Sequence, residues 1–276
     1  MHKIIIPIDF SKCSEYACKT ATRVAKKNGS EIHLLHMIEV PSGIINTGSR
    51  HNFSIHESML YIRKVRDKML EYKEIFFKKN GDIKHSIKFL PPFEGIKNYV
   101  GKINADLIIM GSRGHSKMEE ILIGSNTERT VRTSNTPVLV IKKEEEKFNP
   151  KKIVFASDFS ENIDKEKFST LINFANTFKS IIHLLKINTP NSFESSAISR
   201  KKINAFIKKH ELKKYEIQTY NDTSIENGIL NYSNEIEADL IAIGTTGRSG
   251  LAHIFNTSIS KQVTKNSNKP ILTFKL

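Results

Sequence analysis

The sequence predicts an α/β chain made of two tandem open domains, each a five-stranded parallel sheet with helices on both faces. Three observations lead there. Short runs that are apolar throughout alternate with segments of helical period, as in a parallel sheet buried on both sides. The whole pattern occurs twice in 276 residues. In each copy a small-residue segment follows the fourth apolar run.

In the first half, strands are expected at Ile4 to Ile8, Glu31 to Met37, His85 to Leu90, Asp106 to Met110 and Val138 to Ile141. Between them, Ser14 to Lys27 carries Ala17, Ala21 and Val24 on one side, and Glu57 to Lys78 carries Met59, Ile62, Met69, Tyr72 and Phe76. Shorter helices fit Phe93 to Lys102 and Ser125 to Ser134. The second half places strands near Ile153 to Ser157, Ile181 to Ile187, Tyr215 to Tyr220, Asp239 to Ile243 and Ile271 to Phe274. Asp9 and Gly111 are 102 positions apart, against 86 for Asp158 and Gly244, so the helix after strand two should be trimmed in the second half. Pro41 to Ser54, polar and glycine-containing, reads as a mobile loop near the strand ends.

The repeat is carried by five matches in order. Ile6-Pro-Ile-Asp-Phe-Ser pairs with Phe155-Ala-Ser-Asp-Phe-Ser, and Ile32-His-Leu-Leu-His with Ile182-His-Leu-Leu-Lys. Ala105-Asp-Leu-Ile returns as Ala238-Asp-Leu-Ile, and Ser134-Asn-Thr-Pro-Val-Leu as Ser267-Asn-Lys-Pro-Ile-Leu. Gly111-Ser-Arg-Gly114, nine residues, then Gly124-Ser125 returns 133 residues later as Gly244-Thr-Thr-Gly247, nine residues, then Thr257-Ser258.

A chain of this length fits two ordinary domains, each able to bury a core. The polar stretch Lys142 to Pro150 reads as a short linker, which gives domains 1–143 and 150–276. No apolar run approaches the roughly 20 residues of a membrane span, and the chain enters a strand at once, so a cytoplasmic protein without a membrane partner is expected. Cys13 and Cys18, five apart, neither face together nor make a metal pair, and read as free thiols. His33 and His36 should point to opposite faces of one strand, so no metal site is predicted. The net charge of +14 would suit an anionic partner, but it is mostly lysine spread along the chain. Its densest cluster, around Arg200, Lys208 and Lys213, flanks Ile203, Phe206 and Ile207, the pattern of a solvated face on a packed helix. No aromatic-interleaved basic strand or recognition helix argues for nucleic acid.

The glycine segment carries the chemistry. Gly111 and Gly114 let the chain turn and let amides approach an anion, and Gly124-Ser125 opens a helix whose free N–H groups favour negative charge. Asp9, at the end of strand one, and Gly111, at the end of strand four, lie where open parallel sheets bind ligands. A carboxylate beside an anion-binding loop suits a nucleoside phosphate; a turn or helix-cap role with Ser11 is the alternative for Asp9. The segment has neither the Gly-Lys-Ser/Thr ending of a Walker loop nor a Gly-x-Gly-x-x-Gly pattern.

Taken whole, Gly-x2-Gly-x9-Gly-Ser after a strand, Asp-Phe-Ser after strand one and a Leu-Leu-His end to strand two resemble the universal stress protein family, here in tandem. The resemblance implies Rossmann-like domains and a cytoplasmic stress-response regulator that binds ATP or a related adenine nucleotide, with Mg²⁺ as an option. By position, Asp9 and the backbone at Met37 would hold the adenine end, and Met110, Gly111, Gly114, Gly124, Ser125 and Asn126 the ribose and phosphates. A second set would be Asp158, Ile187, Gly244, Gly247 and Ser258, but Thr257 replaces the third glycine and Lys186 the strand-two histidine. The resemblance also implies that Val138 to Ile141 and Ile271 to Phe274 meet within the chain as a pseudo-dimer, with a homodimer of chains as a further option. No catalytic residue is assigned. A slow ATPase or phosphotransferase would have to recruit Arg113, His115 or Lys117 from the connecting loop, and a scaffold without nucleotide is the other alternative.

Overall fold

Sequences such as Ile4-Ile-Ile and Leu107-Ile-Ile-Met put large apolar side chains on both sides of a strand, and these must be covered from above and below. The computed structural model describes residues 1–39, 55–78, 83–112, 123–145, 147–159, 163–245 and 257–276. In the first half, β1 (Lys3–Ile8), β2 (Glu31–Met37), β3 (Lys84–Lys88), β4 (Leu107–Gly111) and β5 (Val138–Ile141) alternate with α1 (Lys12–Asn28), α2 (Ile55–Phe77), α3 (Pro92–Ile103) and α4 (Ser125–Thr133). In the second, β6 (Lys152–Ala156), β7 (Ile181–Asn188), β8 (Tyr215–Asn221), β9 (Leu240–Thr245) and β10 (Ile271–Lys275) alternate with α5 (Lys165–Phe178), α6 (Ser196–His210), α7 (Ile225–Glu235) and α8 (Thr257–Asn266). The expected strands are all present, with ends shifted by one or two residues.

Within each half the strands are parallel, in the order 3-2-1-4-5 and its equivalent. The halves join edge to edge. β5 pairs antiparallel with β10, Val140 opposite Ile271 and Val138 opposite Thr273, which closes two sheet edges and yields one ten-stranded sheet. The pseudo-dimer implied by the resemblance is thus the arrangement seen. One apolar layer, from Ile4, Ile6 and Leu34 through Phe155, Phe168 and Phe206, crosses the seam under α1, α2, α5 and α6. The other side is split into separate layers around Ile5 and Met110 and around Val154 and Ile243. Fully burying each such aliphatic side chain contributes about 2 kcal/mol.

The duplication extends to the backbone. Phe10 and Phe159 both take positive φ, at 62° and 54°, directly after the strand-end aspartates. Asp106 Oδ2 accepts from the amides of His2 and Lys3, and Asp239 Oδ2 accepts from those of Lys151 and Lys152. The repeated Ala-Asp-Leu-Ile therefore pins the start of one strand to its neighbour. The trimmed helix is also found: α6 has 15 residues where α2 has 23. Pro41 to Ser54 lies outside the described residues. The linker is held by Phe148, whose ring is 5.6 Å from that of Phe178, and by Arg23, which donates to the Glu145 carbonyl. His33 and His36 do point to opposite faces, one toward Tyr99 and the other toward Phe10. Both cysteines are free, and burial pushes the Cys18 thiol well above its ordinary range. On α6, Ile203 and Phe206 are buried while Lys201, Lys202, Lys208 and Lys209 are exposed, as the stripe predicted. Among the described residues no helix is long and apolar enough to cross a membrane.

Candidate functional site

Strand order reverses between β1 and β4, so the helices that follow them, α1 and α4, lie on opposite faces of the sheet and leave a crevice beyond the strand ends. A cavity of about 330 Å³ occupies it. Asp9, Met37, Met110, Gly111, Gly124, Ser125 and Asn126 all line this one space, which is large enough for a small-molecule site. Gly114 lies outside the described residues.

At the β1 end, Asp9 Oδ1 accepts from the Ser11 amide at 3.1 Å and from Ser14 Oγ at 2.5 Å. Asp9 therefore does serve the start of α1, as the alternative reading of its sequence context held, and it borders the cavity as well. His36, the histidine of the strand-two motif, for which no role in the site was expected, also lines the cavity. Its Nδ1 lies 2.8 Å from the Ile8 carbonyl, so a neutral ring donates there and keeps Nε2 as an acceptor. Burial lowers its pKa below the ordinary histidine value, against the opposing effect of the Ile8 bond. Phe10 packs on it at 4.6 Å.

At the other end, the geometry favours an anion. The first N–H groups of a helix have no partner within it. The helices α1, α5, α6 and α7 are capped by side chains of Ser11, Asp164, Ser195 and Ser224. In contrast, α4 starts at Gly124, which has no side chain, and α3 at Pro91, which makes no capping bond. Both of these uncapped helices line the cavity with their first turns, through Ser125 and Asn126 and through Pro92, beside Ser14 of the capped α1. Their positive ends supply free donors to an anionic group. Thr127 was also missed: its hydroxyl donates to the Gly111 carbonyl at 2.9 Å and ties the start of α4 to the end of β4. A Gly-Ser-x-Thr run at a helix start was the available signal.

Among the described residues of the second half, the space at the corresponding end of the strands is much smaller. At the end of β7 only about 10 Å³ remains, lined by Lys186, Ile187, Ser192 and their neighbours. Of the second set of residues, Ile187 borders it, whereas Asp158 and Gly244 do not. Gly247 and the side chain of Ser258 lie outside the described residues. Three local differences separate the described residues of the second half from those of the first. Lys186, 5% exposed, stands where the first half has His36. Leu276 packs against Gly244. Ser260, the counterpart of Thr127, is buried with no partner for its hydroxyl, so the latch between helix and strand is not made.

Comparison with known proteins agrees with this architecture. The model of the universal stress protein family matches residues 1–142 and again 149–275. Two universal stress proteins of Methanocaldococcus jannaschii are similar in sequence. One is 34% identical over 146 residues, covering 51% of this chain and 82% of its own length. The other is 30% identical over 154 residues, covering 51% and 94%. The solved structure of a universal stress protein from Archaeoglobus fulgidus DSM 4304 shares the fold over 99% of this chain and 98% of its own, with a TM-score of 0.73 at 20% identity. The chain belongs to the universal stress protein family, with the family's domain present twice.

Proposed function

We propose that the first half binds ATP or a related adenine nucleotide in the cavity between β1 and β4, and that the protein acts as a nucleotide-dependent stress-response regulator in the cytoplasm. The observation that carries this reading is the convergence of two uncapped helix starts, Gly124 to Asn126 and Pro92, on one cavity that also holds Asp9 and Met37. The phosphates take the α4 end with Gly111, Gly114, Gly124, Ser125 and Asn126, with or without Mg²⁺. The adenine end takes Asp9 and the backbone at Met37. The action is binding, with turnover at most slow: efficient phosphoryl transfer needs a group to orient the attacking oxygen and another to neutralise developing charge. The second half, where Lys186 borders a space of only about 10 Å³, acts as the scaffold that completes the sheet.

Gly124→Thr tests this reading, because it gives the first half the residue that the second half has at Thr257. Gly124 sits at φ −61° and ψ 142°, angles open to any residue, so the fold should survive. A branched side chain at the mouth of α4 should obstruct the phosphates. The expected result is at least a tenfold loss of ATP affinity, about 1.4 kcal/mol, by calorimetry, with an unchanged melting curve. Unchanged affinity would count against phosphate binding at α4.

A further inference from the structure

Arg129 stands one helical turn beyond Ser125 and Asn126, on the same face of α4. Its guanidinium lies over the Phe93 ring, 4.1 Å from the centroid, and Nη2 is 3.2 Å from Glu94 Oε1. Phe93 and Glu94 follow directly on Pro92, a lining residue of the cavity. Arg129 is not part of the lining; its side chain is 51% exposed and that of Glu94 42%. An ion pair so exposed adds little to the fold. Yet the cation is held by a ring and a carboxylate that both belong to the uncapped first turn of α3. The second half lacks the trio: the corresponding residues are Gln262, Glu226 and Asn227.

We propose that Arg129 is a phosphate-recognition residue, and that Glu94 is an internal anion competing with the ligand for it. On this assignment, which rests on the nucleotide reading above, the guanidinium keeps its stack on Phe93 and exchanges the Glu94 carboxylate for phosphate oxygens at the α4 end of the cavity. The planar fork of arginine matches two such oxygens at once, which a lysine does not. Arg129 thereby makes affinity depend on the number of phosphates, and Glu94 sets a threshold that a weakly charged ligand does not overcome.

The test is calorimetric titration of ATP, ADP, AMP and adenosine into wild type, Arg129→Ala, Arg129→Lys and Glu94→Gln at two salt concentrations. Arg129→Ala should weaken ATP about tenfold, AMP less and adenosine not at all, with a shallower salt dependence. Arg129→Lys should fall between wild type and Arg129→Ala. Glu94→Gln should act in the opposite direction and tighten ATP about threefold. Equal effects on all four ligands, or ATP affinity unmoved by Arg129→Ala, would overturn the inference while leaving the nucleotide site standing. Binding of none of the four by folded wild type would remove the nucleotide reading, and the inference with it.

Discussion

Gly111→Ala should destabilise the protein by about 2–3 kcal/mol and abolish nucleotide binding, whereas Gly244→Ala, at the equivalent place, should cost less than about 1 kcal/mol. A methyl group on Gly111 would lie 2.6 Å from Cys13 Cβ, 2.7 Å from its carbonyl carbon and 2.8 Å from its oxygen. Two of these atoms belong to the α1 backbone and cannot turn aside. Relief requires β4 and α1 to separate, and the end of β4 is one wall of the cavity. At Gly244 the nominal clash is shorter, 2.1 Å to Cδ1 and 2.3 Å to Cγ of Leu276, but all of it is with one flexible side chain that can rotate away as a whole. What must move therefore decides the cost. Urea unfolding of both variants, with ATP titration of each, checks the contrast; a larger loss for Gly244→Ala would contradict it.

His210→Phe should stabilise the protein in mild acid by about 2 kcal/mol and flatten its loss of stability below neutral pH. His210 is 2% exposed and lies between Phe168 and Phe206, at 4.7 Å and 4.2 Å, with neither ring nitrogen hydrogen-bonded. Burial, reinforced by Lys209 and Lys165, pushes its pKa down from 6.5 to about 4. Because the folded value is depressed, the unfolded chain binds the proton first. The stability due to the neutral ring is complete above about pH 6.5 and declines toward pH 4 at up to roughly 1.4 kcal/mol per unit. His33, His36 and His183, which burial also lowers, act in the same sense, so the wild-type slope should exceed one histidine's share. Phenylalanine removes the titration and the two unpaired nitrogens together. Unfolding curves at pH 7.5 and pH 5.0 test this, and identical pH slopes for variant and wild type would refute it.

The fold was legible because it rests on side chains whose burial is forced. Runs such as Ile4-Ile-Ile and Leu107-Ile-Ile-Met admit few arrangements other than a doubly covered parallel sheet, and five ordered matches 133 to 150 residues apart indicated duplication. Several of those matches prove to be structural. Asp106 and Asp239 tie strand starts, while Ser134 and Ser267 close matching turns through bonds to the amides of Thr136 and Lys269. The cavity was legible in part. Asp9, Gly111 and Gly124 could be placed from motif spacing, but Pro92 and Ile96 come from α3, whose place beside the crevice no local pattern announces. The small space at the end of β7 depends on where Lys186 comes to rest after folding, which the substitution at Thr257 only hinted at.

On the proposed function, one half of the duplicated chain binds nucleotide and the other does not. Calorimetric titration of ATP into the full chain, with phosphate release followed on the same samples, tests this most directly. One site per chain with negligible turnover is the predicted result. Two equivalent sites would contradict the asymmetry between the halves, and the absence of binding by folded protein would contradict the site itself.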